Sequence, residues 1–115
     1  MGFSADNRLK LDLYKVSHHG SKFNTTLELL NLLDCTRFAF STDGTRNDHP
    51  HPETIAKILV NDPLRPKTLY FNFRQDHALR WDKADLKAKW RYKCCFPADG
   101  TSGLTIEIGT QSVDI

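Results

Sequence analysis

The chain has 115 residues, enough for one domain that buries roughly two thirds of its unfolded surface. Its 39% hydrophobic and 26% charged residues exclude a disordered chain, and a net charge of +2 gives no case for a dedicated nucleic-acid binder. No apolar run approaches the roughly 18 residues of a membrane span, and three cysteines without CxxC spacing are typical of a cytoplasmic protein with reduced thiols.

Strands and helices alternate along most of the chain. Alternation of apolar and polar residues predicts strands, and apolar residues three or four apart predict helices. The predicted elements are a strand at 9–16, a helix from Thr25 to about Asp34, a strand at 36–41, a helix that begins at 51–53 and ends at 61–63, a strand at 67–73 and a short helix within 82–90. This order predicts an α/β layer with a largely parallel start.

The two ends of the chain carry further predictions. Tyr92–Phe96 and Leu104–Ile108 flank the turn residues 97–100, which predicts a terminal β-hairpin. Residues 1–5 stand so close to the first strand that we interpret them as an artificially added or disordered start. The length of the chain predicts that residues 1–115 form one domain.

Histidines follow two of the predicted strands. His18 and His19 come directly after the first strand, and His49 and His51 come after the second. If these strands are parallel neighbours, both loops open at the same edge of the sheet. Imidazole is the commonest metal ligand, so the pattern favours a metal site. Three carboxylates nearby in the sequence could serve as oxygen ligands or as hydrogen-bond partners of the ligating histidines: Asp43, Asp48 and Glu53.

A structural interpretation stands beside the functional one. Residues 49–52 also fit a rigid loop with a helix cap, and adjacent histidines occur by chance. His77 is predicted to be a surface or hydrogen-bonded loop histidine. The alternative function is therefore a non-catalytic α/β interaction module whose histidines are loop and cap residues.

The segment Leu11-Asp12-Leu13-Tyr14-Lys15-Val16-Ser17-His18-His19-Gly20-Ser21 resembles a signature of the metallo-β-lactamase superfamily. It is most similar to the hydrolase domain of ComEC-like DNA-uptake proteins. In those proteins a hydrophobic strand runs into His-His-Gly-Ser, and a helix, a strand and a loop ending in His-Pro-x-Pro-Glu follow. His49-Pro50-His51-Pro52-Glu53 stands in the matching place. The resemblance covers residue 9 to about residue 73.

The resemblance implies both a fold and an activity. The fold is the C-terminal half of an αββα sandwich, with a mixed sheet, helices packed on one face and a terminal hairpin. The activity is hydrolysis of a phosphodiester or other ester by water that zinc or manganese activates, with nucleic acid or another phosphoester as substrate. The predicted site residues are His18 and His19 for the metal, His49 and His51 for catalysis, and Ser21 and Lys22 for substrate binding. Which of His18 and His19 is the ligand stays open.

The chain departs from the family in its ligand set. The family's main metal motif, His-x-His-x-Asp-His, does not occur in it, and neither does the later Gly-Asp. Because a catalytic zinc needs about three protein ligands plus water, we predict that this chain alone is inactive and need hold no metal.

A half domain also predicts association. The missing half would leave an apolar sheet face exposed, carrying Leu11, Leu13, Phe38, Phe40 and Leu69. We therefore expect a homodimer or pairing with a separate N-terminal half.

Overall fold

A four-stranded parallel sheet forms the centre of the fold, and two smaller ladders accompany it. The computed structural model describes residues 9–16, 28, 30, 32–42 and 50–115. Its strands are β1 (Leu9–Lys10), β2 (Tyr14–Lys15), β3 (Leu33–Asp34), β4 (Arg37–Phe40), β5 (Lys67–Phe71), β6 (Tyr92–Cys95), β7 (Thr105–Ile108) and β8 (Gln111–Asp114). Its helices with described bounds are α1 (Pro52–Val60), α2 (Asp76–Leu79) and α3 (Ala84–Trp90). The predicted α/β class is confirmed.

The predicted strand at 9–16 is divided into β1 and β2. β1 pairs in parallel with β3, and β2 pairs in parallel with β4. Both ladders keep the same 24-residue offset, and the amide of Leu11 between them donates to the carbonyl of Asp34. The predicted strand is therefore interrupted between β1 and β2, but the register of its pairing does not shift.

The sheet has the order β2-β4-β5-β6, and all its neighbours are parallel. Phe38 lies beside Leu69, and Phe40 lies beside Phe71, so these four side chains share one face. The rings of Phe40 and Phe71 stack with centroids 5.1 Å apart. This face forms the main apolar core with the buried side of α1.

Helix α1 confirms the predicted second helix. Pro52 is the first residue of the helix, and His51 precedes it. The backbone amide at this position has no acceptor within the helix, so the missing N–H of proline costs no hydrogen bond. Ile55, Ile58 and Leu59 are buried as predicted. The helix ends before Asn61, whose amide donates to the carbonyl of Lys57.

Helix α3 confirms the short helix predicted within 82–90. Its Leu86 and Trp90 pack half-buried against the core. The helix ends at Arg91, which has a positive φ of 56°. No helix in the described part of the chain is long and apolar enough to cross a membrane.

The predicted helix end near Asp34 is wrong. Glu28 and Leu30 are helical, but Leu33 and Asp34 already belong to β3. Parallel pairing with β1 and burial of Leu33 favour the strand there.

A terminal hairpin exists and contains the predicted strand at Leu104–Ile108, but the predicted pairing of this strand with Tyr92–Phe96 is wrong. β6 pairs in parallel with β5, whereas β7 pairs in antiparallel with β8. Tyr92 is buried beside Lys67, and its hydroxyl donates to the carbonyl of Trp81 at 2.6 Å. Burial in the parallel sheet thus removes β6 from the hairpin. The actual turn contains Gly109, whose φ of 60° favours glycine.

The prediction of an exposed apolar sheet face is wrong. Phe38, Phe40 and Leu69 are 3%, 0% and 0% exposed, because the chain's own core covers them. Leu11 and Leu13 are half-buried. These residues therefore do not form the open face from which association was predicted.

Candidate functional site

The two histidine segments are attached to one edge of the parallel sheet. β2 and β4 are parallel neighbours, and the amide of Val16 donates to the carbonyl of Ala39 at 2.9 Å. The chain therefore leaves both strands in the same direction. The parallel relation on which the predicted common edge depends is confirmed.

Most of the predicted site residues lie outside the described part of the chain. These are His18, His19, Ser21, Lys22 and His49, together with the carboxylates Asp43 and Asp48. Of the predicted catalytic and metal-binding residues, the structure describes His51. Glu53, the third predicted carboxylate, is exposed in the first turn of α1.

His51 is the residue that precedes α1. It is half-buried, and its carbonyl accepts hydrogen bonds from the amides of Thr54 and Ile55 at 3.0 and 3.5 Å. Its side chain does not cap the helix. Pro50, on its other side, is fully buried. The backbone at His51 is thus fixed by a helix on one side and by a packed proline on the other.

Asn72 is a residue at this edge that the sequence did not single out. It directly follows β5 and is only 7% exposed. Its Oδ1 accepts from the amide of Thr42 at 2.8 Å, and its Nδ2 donates to Oγ of Ser41 at 3.0 Å. Its carbonyl accepts from the amide of Gly103 at 2.7 Å. One buried side chain therefore ties the end of β4 to the end of β5.

The signal for Asn72 in the sequence is weak. An amide residue directly after an apolar alternating run equally fits a solvated loop. Its long-range partner Ser41 follows a different strand, so the bond depends on the pairing of β4 with β5.

His77 lies in a helix and not in the predicted loop. It belongs to the short helix α2, where its amide donates to Oε1 of Gln75 at 2.8 Å. The prediction that it is a loop residue is wrong, because the Gln75 side chain caps a helical turn there.

The cysteines do not offer a nucleophile. None of the three is in a disulfide. Burial raises the pKa of Cys35 and Cys95, and it raises the pKa of Cys94 to about 12. Because the thiolate is the reactive form, these side chains are protonated and inert near neutral pH.

The described residues alone do not form a metal centre. Within 9–16, 28, 30, 32–42 and 50–115, no three His, Cys, Asp or Glu side chains come together in a metal-binding group. A catalytic zinc needs about three protein ligands, so His51 by itself cannot hold one.

Comparison of the chain with protein-family models, curated proteins and solved structures finds no match. The class that the structure defines is an α/β protein with a parallel sheet and a separate antiparallel hairpin.

Proposed function

We propose that this chain is the C-terminal part of a metal-dependent hydrolase of the metallo-β-lactamase superfamily, similar to the ComEC type, which acts on phosphodiester or other ester bonds. The parallel pairing of β2 with β4 carries the proposal. It directs two histidine-containing segments from one edge of the sheet, where open α/β folds keep their ligand sites.

The covalent connections support this assignment. His18 follows the last described residue of the first segment, Val16, by two positions, and His49 is bonded to the buried Pro50. Consecutive Cα atoms are about 3.8 Å apart, so the reach of the chain from Val16 and from Pro50 to these positions is short. Asn72 holds the start of the second segment through Ser41 and Thr42.

The proposed roles follow the family resemblance. Zinc or manganese would supply the activated water, and a part of the site beyond this chain would supply further ligands. The proposed residues are His18 and His19 for the metal, His49 and His51 for the pocket, and Ser21 and Lys22 for the anionic substrate.

Metal binding tests the proposal directly. The full-length protein that contains this chain is expected to take up zinc or manganese, measured by calorimetry and by metal analysis after gel filtration. Replacing the true ligand among His18 and His19 by alanine should weaken binding by more than about tenfold, since even outer-shell partners of a metal cost 10–100-fold. His77→Ala is the matched control, because His77 lies in α2.

Two results would reject the metal site. One is no metal uptake by the full-length protein. The other is an equal loss in His77→Ala and in the His18 and His19 variants, which would indicate scattered surface binding.

Hydrolysis is tested separately on bis(4-nitrophenyl) phosphate. The isolated chain with added zinc or manganese is expected to be inactive, and the full-length protein is expected to be active. Activity of the isolated chain would contradict the proposed division of the metal site between two parts.

The proposed partner is a second copy or the N-terminal half. Sedimentation velocity distinguishes the 13.2 kDa chain from its dimer.

The alternative is a non-catalytic α/β interaction module. One observation favours it: the backbone of His51 caps the start of α1, which accounts for this position without chemistry. Under this alternative, neither His18 nor His19 affects metal uptake.

A further inference from the structure

A basic groove lies at the opposite edge of the sheet, where β5 and β6 begin. We define it by Lys67, Lys87, Arg91 and Lys93, with Thr68 and Tyr92 between them, and it has a volume of about 380 Å³. Four of the residues that line the groove are cationic, and no residue that lines it is acidic. The groove lies where β5 and β6 begin, whereas the histidine segments follow the ends of β2 and β4 in the chain, so the groove is distinct from the proposed hydrolase site.

Two of its cations are held in place by the protein. The Lys67 side chain is buried, and its Nζ donates to the carbonyls of Asp62 at 2.8 Å and Arg65 at 3.3 Å. Burial lowers the pKa of Lys67. Nζ of Lys87 bonds Oδ1 of Asp82 at 2.6 Å.

The other two cations face solvent. Arg91 and Lys93 are exposed, and the one described bond of the Arg91 guanidinium is a long contact of 3.4 Å to the carbonyl of Leu64. Asp82 and Asp85 are carboxylates near the groove, and their charges add to the effect of burial in raising the pKa of Tyr92. Asp62 and Arg65 act in opposite directions on the pKa of Lys67, so their formal charges cancel. Setting Asp82 and Asp85 against the four lining cations then leaves an excess of two positive charges around the groove.

We propose that the basic groove binds a phosphate-bearing polyanion through Arg91 and Lys93. A guanidinium offers paired donors that match phosphate oxygens, and an ammonium adds a second point charge. A cavity of about 380 Å³ admits more than one phosphate group, which favours a diphosphate or two consecutive backbone phosphates over a single phosphate ion.

Pyrophosphate is the first probe. Its titration into the ¹⁵N-labelled chain is expected to shift the amide signals of residues 87–93. Arg91→Gly removes one groove charge at a position whose φ of 56° glycine adopts readily, so this variant should fold. Lys93→Ala removes the other exposed charge.

Each variant is expected to weaken pyrophosphate binding by about tenfold, the lower range for a lost charge-assisted hydrogen bond. Lys89→Ala is the matched control. It removes one positive charge from α3, two residues before Arg91, but Lys89 lies over the Trp90 ring and does not line the groove. Its expected change is less than about twofold, because Lys89 is exposed and does not line the groove, and salt screens exposed charges that do not contact the ligand.

A labelled single-stranded oligonucleotide distinguishes the source of the phosphate. Binding to nucleic acid should be tighter than binding to pyrophosphate and should weaken steeply with salt. Tighter binding of pyrophosphate than of the oligonucleotide assigns the groove to small polyphosphates. Failure of both probes, or an equal loss in Lys89→Ala and Arg91→Gly, would overturn the proposal.

Discussion

Replacing Asn72 by alanine should separate the ends of two central strands. The Asn72 side chain makes two part-buried hydrogen bonds, to the amide of Thr42 at 2.8 Å and to Oγ of Ser41 at 3.0 Å. At about 1 kcal/mol each, plus the cost of truncating a buried side chain, their loss lowers the free energy of unfolding by about 2.5 kcal/mol. With an unfolding entropy of about 2.1 cal/mol/K per residue, Tm should fall by about 10 °C.

Urea unfolding followed by circular dichroism measures this loss, and a double-mutant cycle with Ser41→Ala isolates one of the bonds. The coupling energy between the two positions should be about 1 kcal/mol, because contacting residues are not additive. An Asn72→Ala variant within about 0.5 kcal/mol of the wild-type chain, a range normal for surface changes, would refute the role given to this side chain. Strict additivity with Ser41→Ala would refute the direct bond.

Three other predictions concern the core, the thiols and the hairpin. Leu69→Ala, at a fully buried position, should cost about 2–5 kcal/mol in urea unfolding, whereas Leu64→Ala, at a position 73% exposed, should cost less than about 0.5 kcal/mol. Burial raises the pKa of Cys94 from 9.0 to about 12, so the unfolded chain loses this proton first and the free energy of unfolding should fall as pH rises across that window. Cys94→Ala should flatten this pH dependence, and an unchanged slope would contradict it. Nη2 of Arg37 donates to the carbonyl of Glu107 at 2.7 Å, so Arg37→Met should speed amide hydrogen exchange in β7, and unchanged exchange would show that the hairpin docks by other contacts.

The early α/β pattern could be predicted because its local signals agree with the tertiary fold. Pro52 marks the start of α1, and the spacing of Ile55, Ile58 and Leu59 fits the helical face that the core buries. The alternation at 67–71 likewise matches the buried face of β5. In these segments propensity, period and burial all favour the same structure.

The C-terminal part could not be predicted in the same way. Tyr92–Cys95 has the alternation of a hairpin strand, but its neighbour in space is β5, which lies 25 residues earlier in register. Periodicity indicates that a strand exists, but it does not determine which other strand it pairs with. The signal that was missed is the two-residue turn at Gly109, which has alternating residues on both sides.

The candidate site was predictable only as far as its attachment to the sheet. The segments after β2 and after β4 were expected at one edge, and the parallel pairing of these strands agrees with this. Asn72 could not be predicted, since its role depends on bonds across 30 and 31 residues of sequence. The metal assignment for His18 and His19 stays a prediction.

The order of the strands in the parallel sheet has a consequence for how the protein is made. β2, β4, β5 and β6 are neighbours in the same sequence in which the ribosome produces them. Each new strand can therefore add to the edge left by the one before it, and none has to be inserted between two strands already paired. Parallel pairings across long loops form slowly, and an unpaired edge invites aggregation in the meantime. Because strands are added on one side only, the nascent sheet has one edge strand at which growth continues. β6 is the last strand to be added there.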